Sequence, residues 1–129
     1  MVTLVDSIKK KMGTVKDNMI SINSWGYVLE TDTVLQAAKV LQRKHRQFIP
    51  VMKDNEIIGV ITKDVIFDAF VKGITRTTKV KTIKLNTPDI ISFEDNIPMK
   101  KVFYQQSDEL FVVSNKSKKI IGILTPEIY

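Results

Sequence analysis

The sequence predicts an α+β fold made of two pseudo-symmetric repeats, each ordered strand–helix–strand–strand–helix and packed through their sheets. Three observations predict it. The hexapeptide IIGVIT (Ile57 to Thr62) returns as IIGILT (Ile120 to Thr125). Sliding the chain by the 63 positions between Gly59 and Gly122 brings Asp32 onto Asp95, Val34 onto Ile97, Phe48 onto Phe111 and Ile49 onto Val112, with no gap from Val28/Ile91 onward. Matches at scattered apolar and turn positions are what a duplicated fold retains, because those positions carry the packing. Finally, the element pattern runs in the same order in both halves.

Residues 1–13 read as an N-terminal helix, with Leu4, Val5, Ile8 and Met12 on one side. Repeat one spans 14–73. Its first strand is expected around Tyr27–Glu30, followed by a helix in TDTVLQAAKVLQRKH. Thr33 is placed to cap that helix, with Gln36 three residues on completing a capping box. Val34, Ala38 and Leu41 fall at i, i+4 and i+7 and predict one buried face. Two short strands follow, QFIPVM and EIIGVIT, joined by the turn-rich Lys53-Asp54-Asn55. A second helix is expected from about Lys63 to Lys72, burying Val65, Ile66, Ala69 and Phe70, with Gly73 as its stop. GITRTTK reads as a linker, and the alternating Lys79, Lys81 and Lys84 as a solvated strand face.

Repeat two spans 74–129. DIISF reads as extended, and Asp95-Asn96 opens a helix that carries Pro98 in its first turn, where proline is tolerated. Ile97, Lys101 and Tyr104 mark one line along it. ELFVVS and KIIGILT form a hairpin around the polar NKSK. The second helix of this repeat would begin only near Tyr129, and the N-terminal helix is expected to cover the surface left bare. Each half buries too little apolar surface alone, so the halves are expected to fold as one body.

Composition narrows the function classes. The absence of cysteine rules out disulfides, thiolate zinc sites and cysteine nucleophiles, and the single histidine, His45, rules out sites needing two imidazoles from one chain. No apolar run approaches the ~20 residues of a membrane helix, and MVTLVDSIKKK lacks a secretory apolar region, so a cytoplasmic protein is expected. The formal charge of +6 favours anionic partners, and equally suits a lysine-solubilised surface. Thr62 has no histidine base at a recognisable spacing, and GVIT lacks the second glycine and Lys-Thr/Ser ending of a phosphate loop. No catalytic residues, no metal site and no required cofactor are expected.

The repeated element order, with FIPVM and GVIT at these places, resembles the CBS-domain family in its tandem form, the Bateman module. The resemblance covers about residues 14–129, through VKDNMIS (Val15 to Ser21), TDTVLQAAKVL, FIPVMKDNEIIGVIT and their weaker copies. It implies a regulatory sensor rather than a catalyst. Such modules commonly bind AMP, ADP, ATP or S-adenosylmethionine between their repeats, pass that occupancy to an enzyme, channel or transporter, and pair as disc-shaped dimers.

Carried onto this chain, the resemblance implies a ligand site of Ile20, Ser21, Phe48, Pro50, Thr62 and Asp64, with His45 and Arg46 toward a phosphate tail. A second, weaker site would comprise Ile83, Phe111, Val113, Thr125 and Glu127. The family places an acid three residues after the hydroxyl, for the ribose; here Val65 and Ile128 stand there, and the acids come one place early at Asp64 and Glu127. A carboxylate suits a ribose because it accepts from both cis hydroxyls. The alternative is structural: Thr62 caps a helix and Asp64 complements its dipole, with Thr125 and Glu127 doing the same. Likewise Arg43, Lys44, His45 and Arg46 suit a helix C-terminus without any ligand. Trp25 reads as packing over the hairpin, or else as a stacking surface. Phe67, Phe70 and Val71 are too many apolar groups for one stripe and predict a homodimer. Three functional readings follow: a nucleotide sensor acting on a protein partner, a ligand-free interaction module, and, least favoured, a basic nucleic-acid-binding module.

Overall fold

The computed structural model describes residues 13–85, 90–102 and 110–124. The expected N-terminal helix, Tyr104, Thr125, Glu127 and the end of repeat two lie outside the described residues. The fold is α+β, as expected, in two compact units: residues 22–88, and residues 1–21 with 89–129.

In the 22–88 unit the chain forms α2 (Ile22–Trp25), β2 (Val28–Leu29), α3 (Val34–Lys44), β3 (Phe48–Lys53), β4 (Glu56–Thr62), α4 (Lys63–Val71) and a 3-10 turn (Val80–Thr82). The sheet runs β2-β3-β4, parallel then antiparallel. Thr33 begins α3 with the expected capping box: its hydroxyl accepts from the Gln36 N–H, and Gln36 Oε1 accepts from the Thr33 N–H at 2.8 Å. The β3–β4 turn uses Asp54 and Asn55 at φ 52° and 66°, a left-handed pair that these side chains tolerate.

Three expectations need correction here. Along α3 the buried line is Val34, Ala37 and Leu41, with Ala38 half-buried, because i, i+3, i+7 tracks the groove of this sheet face. In α4 only Ile66 and Ala69 are buried; Val65 is half-buried and Phe70 is 43% exposed. A nine-residue helix against β4 and α3 has one stripe to bury. Lys79, Lys81 and Lys84 are exposed as expected, but they flank a 3-10 turn rather than line a strand.

The other unit contains α1 (Val15–Asn18), β1 (Ile20–Ser21), β5 (Ile90–Glu94), α5 (Met99–Val102), β6 (Leu110–Ser114) and β7 (Ile120–Leu124), with sheet order β1-β7-β6-β5. Pro98 stands just before α5 rather than in its first turn. The core is Val15, Met99, Val102, Val113 and Leu124, with Met19, Phe93, Ile97 and Ile121 packed against it. A capping box unread in the sequence opens α1: Thr14 and Asp17 cap each other. The Thr14 backbone N–H, then its hydroxyl, holds the Asp17 carboxyl below the usual carboxylate range.

The two units repeat one hydrogen-bond pattern, and it reveals an exchange. The Val34 N–H donates to the Thr78 carbonyl, Val80 to Asp32, and Lys81 to Glu30, at 2.8–2.9 Å. In the other unit Met99 donates to Gly13, Val15 to Ile97, and Lys16 to Asp95, over the same distances. The segment leading into repeat two therefore docks on repeat one, and the segment leading into repeat one docks on repeat two. Val80 and Val15, the matching apolar anchors, are both fully buried.

This pattern corrects the gap-free alignment. Val34 corresponds to Met99, not Ile97, and Asp32 to Ile97, not Asp95, a displacement of 65. In the hairpins Val51 faces Gly59 and Val113 faces Gly122, so Val113 holds the place of Val51. By the same register Val112 matches Pro50, Phe111 matches Ile49, and Leu110 matches Phe48. Only the last strand keeps 63. Repeat two is shorter between its helix start and β6 and one residue longer in the hairpin loop, so a single slide could not hold. Gly59 and Gly122 remain equivalent, each following an unpaired bulge residue, Ile58 or Ile121.

The exchange makes Val15→Ala a test. Deleting two buried methyls should cost about 2–3 kcal/mol including the cavity left behind. Hydrogen exchange should quicken in β6 and β7, within the second repeat, and not in β3 and β4, although Val15 precedes the first repeat.

Candidate functional site

The start of β3 and the end of β4 lie side by side, because Phe48 pairs opposite Thr62. This register brings five candidate residues of the 22–88 unit to one end of its sheet: Arg46, Phe48, Pro50, Thr62 and Asp64. Pro50 is buried in the middle strand, opposite Val60. A proline is accommodated there because β2 pairs with β3 only from Val51 onward, so no ladder donor is needed from it on that side.

Phe48 is held from behind. The Trp25 ring packs against it with centroids 5.1 Å apart, and Trp25 Nε1–H donates to the Phe48 carbonyl at 3.2 Å. The Arg46 guanidinium lies 3.9 Å over the Trp25 ring, and its Nε–H donates to the Trp25 carbonyl at 3.1 Å. Trp25 is 1% exposed and therefore packs, as the first of its two sequence readings had it. Arg46 spends its charge on that ring.

Thr62 caps α4: its Oγ1 accepts the Val65 N–H at 3.1 Å. The hydroxyl can still donate its own proton. Asp64 follows in the first turn of α4, exposed, with no side-chain partner among the described residues. His45 closes α3 in the left-handed conformation, φ 55° and ψ 43°, with its side chain exposed. The Arg46 N–H donates to Leu41 and the His45 N–H to Gln42, a closure repeated at the end of α4 by Ile74 to Ala69 and Gly73 to Phe70. His45 occupies the place that Gly73 takes there, at φ +96°.

The remaining candidates are not gathered in this unit. Ile20 and Ser21 belong to β1 of the other unit, paired with Ile123 and Gly122. Ile83 is buried in the 22–88 unit, after the 3-10 turn. Phe111 and Val113 lie on β6; Val113 is wholly buried against Val15 and Met99, in the place of Val51 rather than Pro50. Thr125 and Glu127 fall outside the described residues.

Sequence reading missed a groove of about 460 Å³ between α3 and α4, lined by Ala38, Leu41, Gln42, Ile66, Phe67 and Phe70 among others. Phe67 and Val71 are 72% and 71% exposed. The excess of apolar residues on α4 was the available signal. Among the described residues no three His, Asp or Glu side chains gather as metal ligands, and no helix is long and apolar enough to cross a membrane.

Residues 18–72 match the family model for the CBS domain. No curated protein sequence matches the chain. Among solved structures, the chain is similar to a hemolysin-like protein containing a CBS domain from Oenococcus oeni PSU, at 20% identity and TM-score 0.69, over 94% of this chain and 90% of that one. It is similar to CBSX2 in complex with AMP, at 23% identity and TM-score 0.61, over 89% and 91%. It is also similar to the CBS domain of a bacterial CNNM/CorC family Mg2+ transporter in complex with the inhibitor IGN95a, at 15% identity and TM-score 0.68, over 95% and 77%. At these identities the likeness establishes the fold.

A side chain in the left-handed region costs stability that glycine does not, less the greater freedom of glycine in the unfolded chain. His45→Gly should therefore stabilise the protein by about 0.5–1 kcal/mol in chemical denaturation. His45→Ala, equally strained, should not.

Proposed function

We propose that this chain is a CBS-domain regulatory module that binds an adenosine-containing nucleotide, such as AMP, ADP, ATP or S-adenosylmethionine, beside its first repeat, where residues 18–72 match the CBS-domain model. The observation that carries the reading is the meeting of Phe48, Thr62 and Asp64 at one end of the β3–β4 hairpin. Phe48 offers an apolar face for an adenine. Thr62 offers a hydroxyl, and Asp64 an uncommitted carboxylate two residues on, suited to accept hydrogen bonds from both ribose hydroxyls. His45 lies toward the phosphates; Arg46 contributes by holding Trp25 against Phe48 rather than by reaching the ligand. The AMP complex of the similar CBSX2 supports this ligand class. The likeness to a transporter's CBS domain supports a regulated protein partner. No catalysis is assigned to the chain.

A second activity, self-association, has its own observation: Phe67, Phe70 and Val71 expose an apolar edge of α4 beside the α3–α4 groove. Contiguous apolar surface of this kind marks an interaction site, and we propose that a second copy covers it.

Calorimetric titration with AMP and ATP tests the first reading. Losing a buried hydrogen bond to a ribose hydroxyl costs ~1–3 kcal/mol, so Asp64→Ala should weaken binding about five- to hundredfold. Glu127→Ala should change it little. Unchanged affinity in folded Asp64→Ala would leave Asp64 as a helix-dipole partner only. A ligand at 100 times its Kd should also stabilise the fold by ~2.7 kcal/mol, visible as a thermal shift.

Light scattering tests the second. The wild type should be dimeric at high micromolar concentration and Phe67→Lys monomeric. A monomeric wild type would sink the dimer.

A further inference from the structure

We propose that the α3–α4 groove, which lies wholly within the 22–88 unit, is a docking site for an acidic amphipathic helix of a partner protein. The floor of the groove is apolar. Leu41 and Ile66 are buried, Ala38 is half-buried, and Phe70 lines it while remaining 43% exposed. The rim is cationic. Lys63 lines the groove from α4, and Gln42 joins it to an adjoining hollow of about 280 Å³ lined by Lys39 and Arg43 of α3. These three cations and Gln42 are all exposed.

No acid of this unit answers those charges. Among the described residues the ion pairs are Lys53 with Glu30 and Lys72 with Asp68, and none includes Lys39, Arg43 or Lys63. From Val34 to Lys44, α3 contains no Asp or Glu. Lys39 and Arg43 stand at i and i+4, where two like charges on a helix repel each other. A carboxylate placed between them relieves that repulsion. A groove between two helices takes a third helix through apolar anchors at i, i+3, i+4 and i+7. Cations on both walls then select an occupant whose anchors are flanked by acids. A nucleic acid would meet the rim but leave the apolar floor in water. A second copy fits the groove poorly, because a twofold contact brings one patch onto itself. It would set Lys39, Arg43 and Lys63 against the same cations. The outer edge of α4, on a helix that does carry acids at Asp64 and Asp68, is left to the second copy.

This gives a chemistry to the protein partner of the regulatory reading, and its test runs without nucleotide, so the two fail separately. The probe is a fluorescein-labelled helical peptide with Leu at i, i+3, i+4 and i+7 and Glu between. Its fluorescence anisotropy is followed on titration with the full, nucleotide-free chain. The same peptide with Ser for Leu, and a single-stranded oligothymidylate, are the controls. The Leu/Glu peptide should bind, and Lys39→Glu/Arg43→Glu should weaken it about tenfold or more, since two favourable pairs become repulsive. Phe70→Ser should weaken it as well. Lys79→Glu/Lys81→Glu, at cations equally exposed around the 3-10 turn, should leave the affinity near that of the wild type. Circular dichroism checks that each variant is folded, and Lys63→Glu on the opposite wall repeats the test if the α3 variant is not. Failure of the Leu/Glu peptide to bind overturns the proposal. Equal binding of the Ser peptide or the oligonucleotide does so too, as does an equal loss in Lys79→Glu/Lys81→Glu. A dimer that dissociates in light scattering on Lys39→Glu/Arg43→Glu would put a second copy in the groove instead.

Discussion

A helix begins with N–H groups that no residue of the helix can satisfy, and an unsatisfied N–H that is buried costs about 1–3 kcal/mol. Here α3 and α5 both find acceptors in a distant stretch of chain, on the carbonyls of Thr78 and Gly13. The same two stretches return the exchange by donating from Val80 and Val15 to Asp32 and Ile97. Once those backbone groups are paired, the two valines are carried into the cores. The division into units follows from this, because residues 13–21 have their partners after residue 89 rather than in the repeat they precede. Neither unit coincides with its repeat in sequence, and the chain passes between them twice.

The candidate site depends on the same kind of bookkeeping in the hairpin. Antiparallel pairing puts Phe48 opposite Thr62, and the β4–α4 boundary falls at Thr62 because its hydroxyl caps the helix that follows. The cap role and a ligand role are compatible. An oxygen accepting the Val65 N–H keeps a proton to donate, and Asp64 is exposed because the first turn of α4 points it away from the core. The stack behind Phe48 gives the site a rigid floor. Trp25 brings a large apolar surface, and Arg46 covers its other side without a desolvated, unpaired charge.

Local chemistry was legible in the sequence wherever one short stretch decides its own conformation. The Thr33–Gln36 box, the Asp54–Asn55 turn, the Gly73 stop and the strands of both hairpins can all be read from a few adjacent residues. What escaped depends on distant partners. A two-residue strand such as β1 has no periodicity, so nothing in Ile20–Ser21 says that its partner is β7. The shift of register in repeat two comes from unequal loops that a rigid slide of 63 averages over, so the slide sets Val113 against Pro50 where the strand pairing sets Val112. Phe70 was read as core because composition shows how many apolar residues a helix has, but not how wide a stripe its neighbours leave for it. At the site, Thr62 and Asp64 were visible as a hydroxyl and an acid. The clamp of Arg46 on Trp25 was not, because 21 residues separate them in the chain.

The two proposed surfaces share one element. α4 starts at the Thr62 cap, where the nucleotide reading places the ribose, and ends nine residues later beside the exposed Phe70 and Val71. A nine-residue helix is tied from end to end by its own N–H to C=O hydrogen bonds, so its first and last turns form one element. A ligand that replaces or tightens the contacts at the first turn therefore acts on the same rigid body that presents the apolar edge. The groove between α3 and α4 is where such a displacement would be felt, because residues of both helices line it, Leu41 from α3 and Ile66, Phe67 and Phe70 from α4. On the two proposed readings, occupancy at one end and association at the other are two loads on a single helix.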